Sequence, residues 1–132
     1  MPGFDVQKTV GYWIAESEEA LRVADHLQKM GDHAYALFFG HLALEKILKA
    51  LYVSRHGEHA PPIHNLLRLA KLTGLQADEA KAEALTRITA FSIDSRYPDM
   101  EGQFRSKCTP EFTAAQMRLI REHYVWVRSR LP

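Results

Sequence analysis

The sequence contains a single cysteine, Cys108, among its 132 residues. One cysteine excludes an intrachain disulfide and is typical of a protein kept in a reducing compartment. The first residues lack the basic segment and apolar segment of a signal peptide. No run approaches the roughly 18 apolar residues that a membrane-spanning helix requires. Together these absences predict a cytoplasmic protein.

The sequence also lacks a strong excess of charge of either sign, because its net charge is +1 with histidine neutral. A polyanion-binding field over the whole surface is therefore not indicated, although a local basic patch is compatible with this balance. Hydrophobic residues make up 46% of the chain and charged residues 25%, as in ordinary globular proteins. The length predicts one domain that spans residues 1–132.

Apolar residues recur at the spacing of amphipathic helices along most of the sequence. A first helix is predicted from Thr9 to Met30 and a second from about His33 to His56. Gly31 is suited to a left-handed helix stop, and Asp32 to the cap of the next helix. Such a short connection predicts that the two helices are antiparallel.

The second helix is apolar on a wide surface, which predicts that it lies at the centre of the fold. It also carries Glu45, Lys46 and Lys49 within one turn. Glu45 and Lys49 are spaced i,i+4. An exposed pair at this spacing stabilises a helix by only about 0.2–0.5 kcal/mol. Gly57 should end this helix, because Pro61 and the next proline prevent its continuation.

Two shorter helices are predicted in the middle of the chain. The third should end at Gly74, and the fourth should begin at Asp78 and end near Ser95, shortly before Pro98. Their inward-facing residues are predicted to be Leu66, Leu69 and Leu72 in the third helix, and Leu85, Ile88 and Phe91 in the fourth.

Residues 99–108 show no clear periodicity and are predicted to form a loop. Thr109, Pro110 and Glu111 then have the cap, proline and acid of a helix start. The buried stripe of this last helix is predicted to be Met117, Ile120, Tyr124, Val127 and Leu131. No segment has the alternation of a strand, so the prediction is an all-α, up-and-down bundle of four to five helices.

Three segments in this order resemble the HEPN domain family, named for nucleotide binding in higher eukaryotes and prokaryotes. They are residues 41–52 (HLALEKILKALY), 62–66 (PIHNL) and 95–99 (SRYPD). The resemblance implies a helical bundle that is usually a homodimer. It also implies, for bacterial members, a partner encoded alongside, a minimal nucleotidyltransferase, in a toxin–antitoxin-like pair.

Many members of this family are metal-independent ribonucleases with an Arg-x4-6-His motif, and others look like binding or scaffold domains. In this sequence no histidine follows Arg96 at the required spacing. Arg118 and His123 match the spacing, but residues five apart on a helix point about 140° away from each other. Arginine and histidine are also frequent enough here for such a match by chance. An atypical site formed by Arg96 with His41 or His64 across a dimer is a further alternative.

Arg96 and Tyr97 suit a nucleotide ligand, because a guanidinium binds phosphate and an aromatic ring stacks on a base. Lys46, Lys49 and His64 would join them if the Pro-Pro loop folds over the central helix. The competing interpretation is structural: Arg96 pairs with Glu45 or Asp99, and Tyr97 fills the end of the bundle. The predicted ligand-binding residues are Arg96, Tyr97, Lys46, Lys49, His64, Glu45 and His41.

His56, His59 and His64 lie close together in sequence, but no carboxylate or cysteine completes the pattern of a known metal site. No metal or other cofactor is therefore predicted. The sequence favours a nucleotide- or RNA-binding or protein-interaction module over an enzyme. The alternatives are a metal-independent ribonuclease toxin, for which Arg118 and His123 are the candidate catalytic residues, and a purely structural dimeric partner.

Overall fold

The computed structural model describes residues 4–132, except for the side chains of residues 98–101. The described chain is all-α and contains six helices, one more than the largest number predicted. They are α1 (Val6–Lys29), α2 (His33–His56), α3 (Leu66–Thr73), α4 (Glu79–Asp94), α5 (Pro98–Lys107) and α6 (Pro110–Arg128). None of the helices in the described part of the chain is long and apolar enough to cross a membrane.

Helices α1 and α2 form the predicted antiparallel pair. Gly31 makes the turn with a φ of 84°, in the left-handed region that glycine tolerates best. Asp32 precedes α2 as expected, but its side chain makes no capping hydrogen bond. Near the middle of the pair, Lys46 bonds to Glu16 and the ammonium of Lys49 lies over the ring of Trp13. Later residues of α2 thus face earlier residues of α1, as antiparallel packing requires.

Helix α2 is the centre of the fold, because it contacts each of the other five helices. Its buried residues lie on several faces, which explains the wide apolar surface seen in the sequence. Gly40 allows α6 to approach closely: a Cβ placed there would lie 2.7 Å from Cδ1 of Ile120. The central position predicted for this helix is therefore confirmed.

The predicted boundaries of α3, α4 and α6 are confirmed by their caps. Gly74 ends α3 with a φ of 86°, while the side chains of Asp78 and Thr109 accept hydrogen bonds from backbone N–H groups in the first turns of α4 and α6. The predicted stripes of α4 and α6 are buried, but Leu131, the last residue of the α6 stripe, lies beyond the end of that helix at Arg128. Leu72 of α3 is the exception, since it is 40% exposed. The buried face of this short helix follows the i, i+3, i+4, i+7 pattern of Leu66, Leu69, Ala70 and Thr73 instead.

The loop predicted for residues 99–108 is wrong, because α5 occupies most of this segment. Pro98 stands in its first turn, where a missing N–H costs nothing. Among the side chains that the structure describes in α5, only Phe104 is buried. It lies against Phe91, with ring centroids 5.6 Å apart. One buried side chain in a helix gives no periodicity to detect, which is why the sequence pattern missed it.

Candidate functional site

A buried ion pair between Glu45 and Lys49 forms the base of the candidate site. The Lys49 Nζ atom lies 3.1 Å from Oε2 of Glu45, one turn away on α2. Their side chains are only 6% and 8% exposed, so this is a buried pair and not the solvated one that sequence spacing alone suggests. Buried charges are tolerated where they are paired and hydrogen-bonded. Both conditions are met here.

The loop between α2 and α3 brings His64 onto the same carboxylate. Its Nδ1 atom lies 3.0 Å from Oε1 of Glu45, while the imidazole side chain remains 59% exposed. A tight turn precedes it, in which the N–H of Ile63 donates to the carbonyl of Pro61. After it, the side chain of Asn65 caps α3. The histidine is thus held from both sides, with one nitrogen bonded and the rest of the ring facing solvent.

His41 lies beneath this loop and is fully buried. Its Nε2 atom is 3.0 Å from the carbonyl oxygen of His64, and because a carbonyl only accepts, Nε2 donates the hydrogen. Nδ1 then has no partner among the described atoms. Burial lowers the pKa of His41, although the His64 carbonyl and the Glu45 carboxylate oppose that shift. The ring is therefore favoured in its neutral form.

Arg96 flanks this group just after the end of α4. Its guanidinium lies 5.4 Å from the ring centroid of Phe38, and its charge contributes to lowering the pKa of His41. The side chain is exposed. Tyr97 follows with 57% of its surface exposed, so it does not fill the end of the bundle.

The loop therefore does fold over the central helix, and four of the predicted site residues meet there. We call His41, Glu45, Lys49 and His64 the Glu45 cluster. Lys46 lies outside it, because its Nζ atom bonds to Glu16 of α1 at 3.0 Å. The suggested pair of Glu45 with Arg96 is not formed, since the carboxylate bonds to Lys49 and His64. The side chain of Asp99, the other suggested partner of Arg96, lies outside the described residues.

Arg118 and His123 differ sharply in their surroundings. Arg118 is exposed, whereas His123 is buried, with Nδ1 donating to the carbonyl of Leu119 one turn earlier at 2.8 Å.

The other histidines near the loop after α2 do not form a common site, because each has a different partner. His56 bonds to the carbonyl of Leu72, and His59 packs against Phe4. Among the side chains that the structure describes, no three metal-ligating groups lie close enough together to hold a metal ion.

Two aromatic residues of the site were missed at the sequence level. Phe38 supports the guanidinium of Arg96, and Trp13 supports the ammonium of Lys49 at 5.5 Å. Phe38 precedes His41 by one helical turn, so its place beside the site could be read from spacing. The contact of Phe38 with Arg96 could not be predicted in this way, because Arg96 follows the end of α4 and is far from Phe38 in the sequence.

The comparisons with known proteins agree with this architecture. The HEPN domain family matches residues 10–128 of the chain, which therefore belongs to that family. The fold is similar to that of TT1696 from Thermus thermophilus, a protein known from its crystal structure. The two chains share 23% identity with a TM-score of 0.76, and the match covers 92% of this chain and 98% of that one. At this identity the similarity shows a common fold. A comparison with curated proteins finds no match.

Proposed function

We propose that this HEPN domain is a nucleotide- or RNA-binding module whose ligand contacts Arg96, Tyr97 and His64. One observation carries the proposal: the guanidinium of Arg96 is exposed and, among the described side chains, has no carboxylate partner. It lies against the Phe38 ring beside the Glu45 cluster. An exposed arginine held by a ring is ready to bind a phosphate with two parallel hydrogen bonds.

The neighbouring residues supply the other contacts that a nucleotide needs. Tyr97 offers an exposed ring on which a base can stack. His64 offers an exposed imidazole whose orientation is fixed by Glu45. Glu45 and Lys49 are buried and paired, so their part is to hold His64 in place. The near-zero net charge of the chain fits a nucleotide or a short RNA better than a long polyanion.

We further propose that the protein is a homodimer, that it has a minimal nucleotidyltransferase as its partner, and that it is located in the cytoplasm. Membership of the HEPN family supports the first two, and the single cysteine fits the third. Light scattering of the purified protein tests the dimer. Copurification with a nucleotidyltransferase encoded beside it tests the partner. A monomer would refute the proposed dimer, and the absence of a copurifying nucleotidyltransferase would refute the proposed partner. Neither result bears on the ligand site, which is tested separately.

The ligand site is tested by titrating a short labelled RNA and a nucleotide against three proteins at two salt concentrations. Arg96→Ala should weaken binding about tenfold or more, as expected for the loss of a bidentate phosphate contact. Arg87→Ala is the matched control, because Arg87 is an exposed arginine of α4 that is grouped with Glu83 and Thr86 and not with the Glu45 cluster. Equal affinities for all three proteins, or no binding by any, would refute the proposal.

A second candidate function is metal-independent RNA cleavage, and the contact between Glu45 and His64 favours it. A carboxylate that accepts from Nδ1 leaves Nε2 of the exposed ring free to move a proton. Arg96 would stabilise the charge that develops on the phosphate. Incubating labelled RNA with EDTA tests this. Cleavage should be lost in His64→Ala and kept in His59→Ala, whose exposed histidine lies in the same loop. Loss in His123→Ala alone would point to the Arg118/His123 pair instead.

A further inference from the structure

A second concave site lies between the first turn of α4 and the middle of α6. Its volume is about 490 Å³, within the usual range for small-molecule sites. The side chains that matter for recognition are those of Asp78, Lys81, Glu122, His123 and Trp126. None of them belongs to the Glu45 cluster or to its Arg96 flank. We call this the α4–α6 cleft.

His123 supplies the observation that points to a ligand. Its side chain lines the cleft although the residue is only 7% exposed. Nδ1 donates to the carbonyl of Leu119 on its own helix, so Nε2 is on the edge of the ring that is turned away from that carbonyl. Nε2 is buried and, among the described atoms, has no hydrogen-bond partner. In the neutral ring this atom is an acceptor that lacks a donor.

The other groups that line the cleft favour a positively charged ligand. Asp78 and Glu122 bring two carboxylates, against the single ammonium of Lys81. The positive end of α4 amounts to only about half a charge, and Glu79 in its first turn offsets that. The indole face of Trp126 also attracts cations, and the Lys81 ammonium already lies 5.4 Å from its centroid.

The ammonium of Lys81 can be displaced from its position over the Trp126 ring. Its ion pair with Asp78 is long, at 3.6 Å, and both side chains are partly exposed. Pairs of this kind hold their partners weakly. An incoming cation could thus take the position over Trp126 and donate to Glu122, beside the His123 ring.

We infer that the α4–α6 cleft binds an organic cation with N–H donors, of the guanidinium or primary ammonium class. This goes beyond the nucleotide- or RNA-binding function proposed above and does not depend on it. A metal ion is a poorer fit, because the described residues include no group of three ligands placed to hold one. A guanidinium suits the cleft through its planar shape and its several donors.

Agmatine is the probe for the test, because it carries a guanidinium at one end and an ammonium at the other. Binding would be followed by calorimetry and by NMR shifts of the Trp126 indole N–H and the His123 ring. Glu122→Gln removes one exposed carboxylate from the cleft and should weaken binding about tenfold. Glu83→Gln is the matched control, because it removes an exposed carboxylate from α4 outside the cleft.

Saturable binding that shifts both ring signals and is weakened by Glu122→Gln but not by Glu83→Gln supports the site. No saturable binding at millimolar agmatine, equal binding by both variants, or tighter binding of succinate than of agmatine would overturn it. A blocked arginine peptide serves as a further arm. Tighter binding of agmatine assigns the site to a free amine, and tighter binding of the peptide assigns it to an arginine side chain of a protein.

Discussion

The imidazole of His64 donates from Nδ1 to Oε1 of Glu45 at 3.0 Å, which ties an exposed loop to a buried carboxylate of α2. The other oxygen of that carboxylate accepts from Lys49. A single side chain of the central helix therefore fixes both a buried cation and the loop that carries the exposed histidine. Stability and site geometry are coupled through Glu45.

Replacing Glu45 with alanine should cost about 3–5 kcal/mol of unfolding free energy, because it leaves the Lys49 ammonium buried without its carboxylate. The control is Glu16→Ala, which removes the partner of Lys46 from a pair whose side chains are 39% and 24% exposed. Solvent screens that pair, so the control should lose no more than about 1 kcal/mol. Urea unfolding of both variants gives the comparison. Equal losses would contradict a structural role for the buried pair.

The depressed pKa of His41 predicts a stability that falls in acid. An unfolded histidine binds its proton near pH 6.5, whereas burial lowers the pKa of His41 in the folded protein. Below pH 6.5 the unfolded state thus takes up more protons, and this contribution to stability is lost as the pH falls through the folded pKa. The charged or titratable groups that face the ring are Glu45, His64 and Arg96.

Urea unfolding of the wild type and of His41→Gln at pH about 7.5 and about 5.5 measures this contribution. Glutamine can still donate to the His64 carbonyl but does not titrate. The variant should therefore lose less stability between the two pH values than the wild type does. An equal loss in both proteins would assign the acid sensitivity to other groups.

Much of the fold could be predicted because its signals are local. The left-handed turns at Gly31, Gly57 and Gly74 and the cap at Asp78 depend on a few neighbouring residues. Helix α5 gave no such signal. Its described contacts join residues far apart in the sequence, such as Phe104 with a ring from α4 and Arg105 with the ring of Tyr35 on α2. Contacts of this kind leave no periodicity in the sequence.

The candidate site was only partly predictable for the same reason. Glu45 and Lys49 are one turn apart, so spacing alone placed them together. Whether they are buried depends on the other helices and on the loop after α2, and sequence spacing does not contain that information. Lys46 was assigned to the same group by its position, but its side chain turns to Glu16 on the neighbouring helix. The α4–α6 cleft was missed because it joins two distant helices.

The close approach of α2 and α6 at Gly40 predicts an energetic coupling with Ile120. Alanine at position 40 would place its Cβ 2.7 Å from Cδ1 of this fully buried isoleucine. Overpacking of this kind costs about 1–3 kcal/mol, which outweighs the gain of about 1 kcal/mol in helix propensity. Gly40→Ala should therefore destabilise the protein.

Ile120→Val removes the clashing Cδ1 and should restore stability in the Gly40→Ala background, although alone it costs about 0.5–1.5 kcal/mol. A double-mutant cycle by urea unfolding measures the coupling between the two positions. Simple additivity of the two single changes would contradict the close packing of α2 and α6 at this point.

The thiol of Cys108 should react slowly in the folded protein. It is buried at the end of α5, and burial raises its pKa to about 11. The reactive thiolate is therefore scarce at neutral pH. Labelling with a disulfide reagent should be much slower in buffer than in urea. Equal rates in the two conditions would show that the thiol is accessible in the native state.

This thiol also reports whether Phe104 anchors α5. The Phe104 ring is 5% exposed and lies between the body of the bundle and a helix whose other described side chains are exposed. Phe104→Ala removes that anchor, and the loss of a buried phenylalanine costs about 3–5 kcal/mol. Cys108 should then be labelled faster in the native state, because α5 separates from α4 before the whole protein unfolds. Gln103→Ala, which changes an exposed neighbour, is the control and should leave the labelling rate unchanged. If Phe104→Ala leaves the rate as slow as in the wild type, then α5 is held by other contacts.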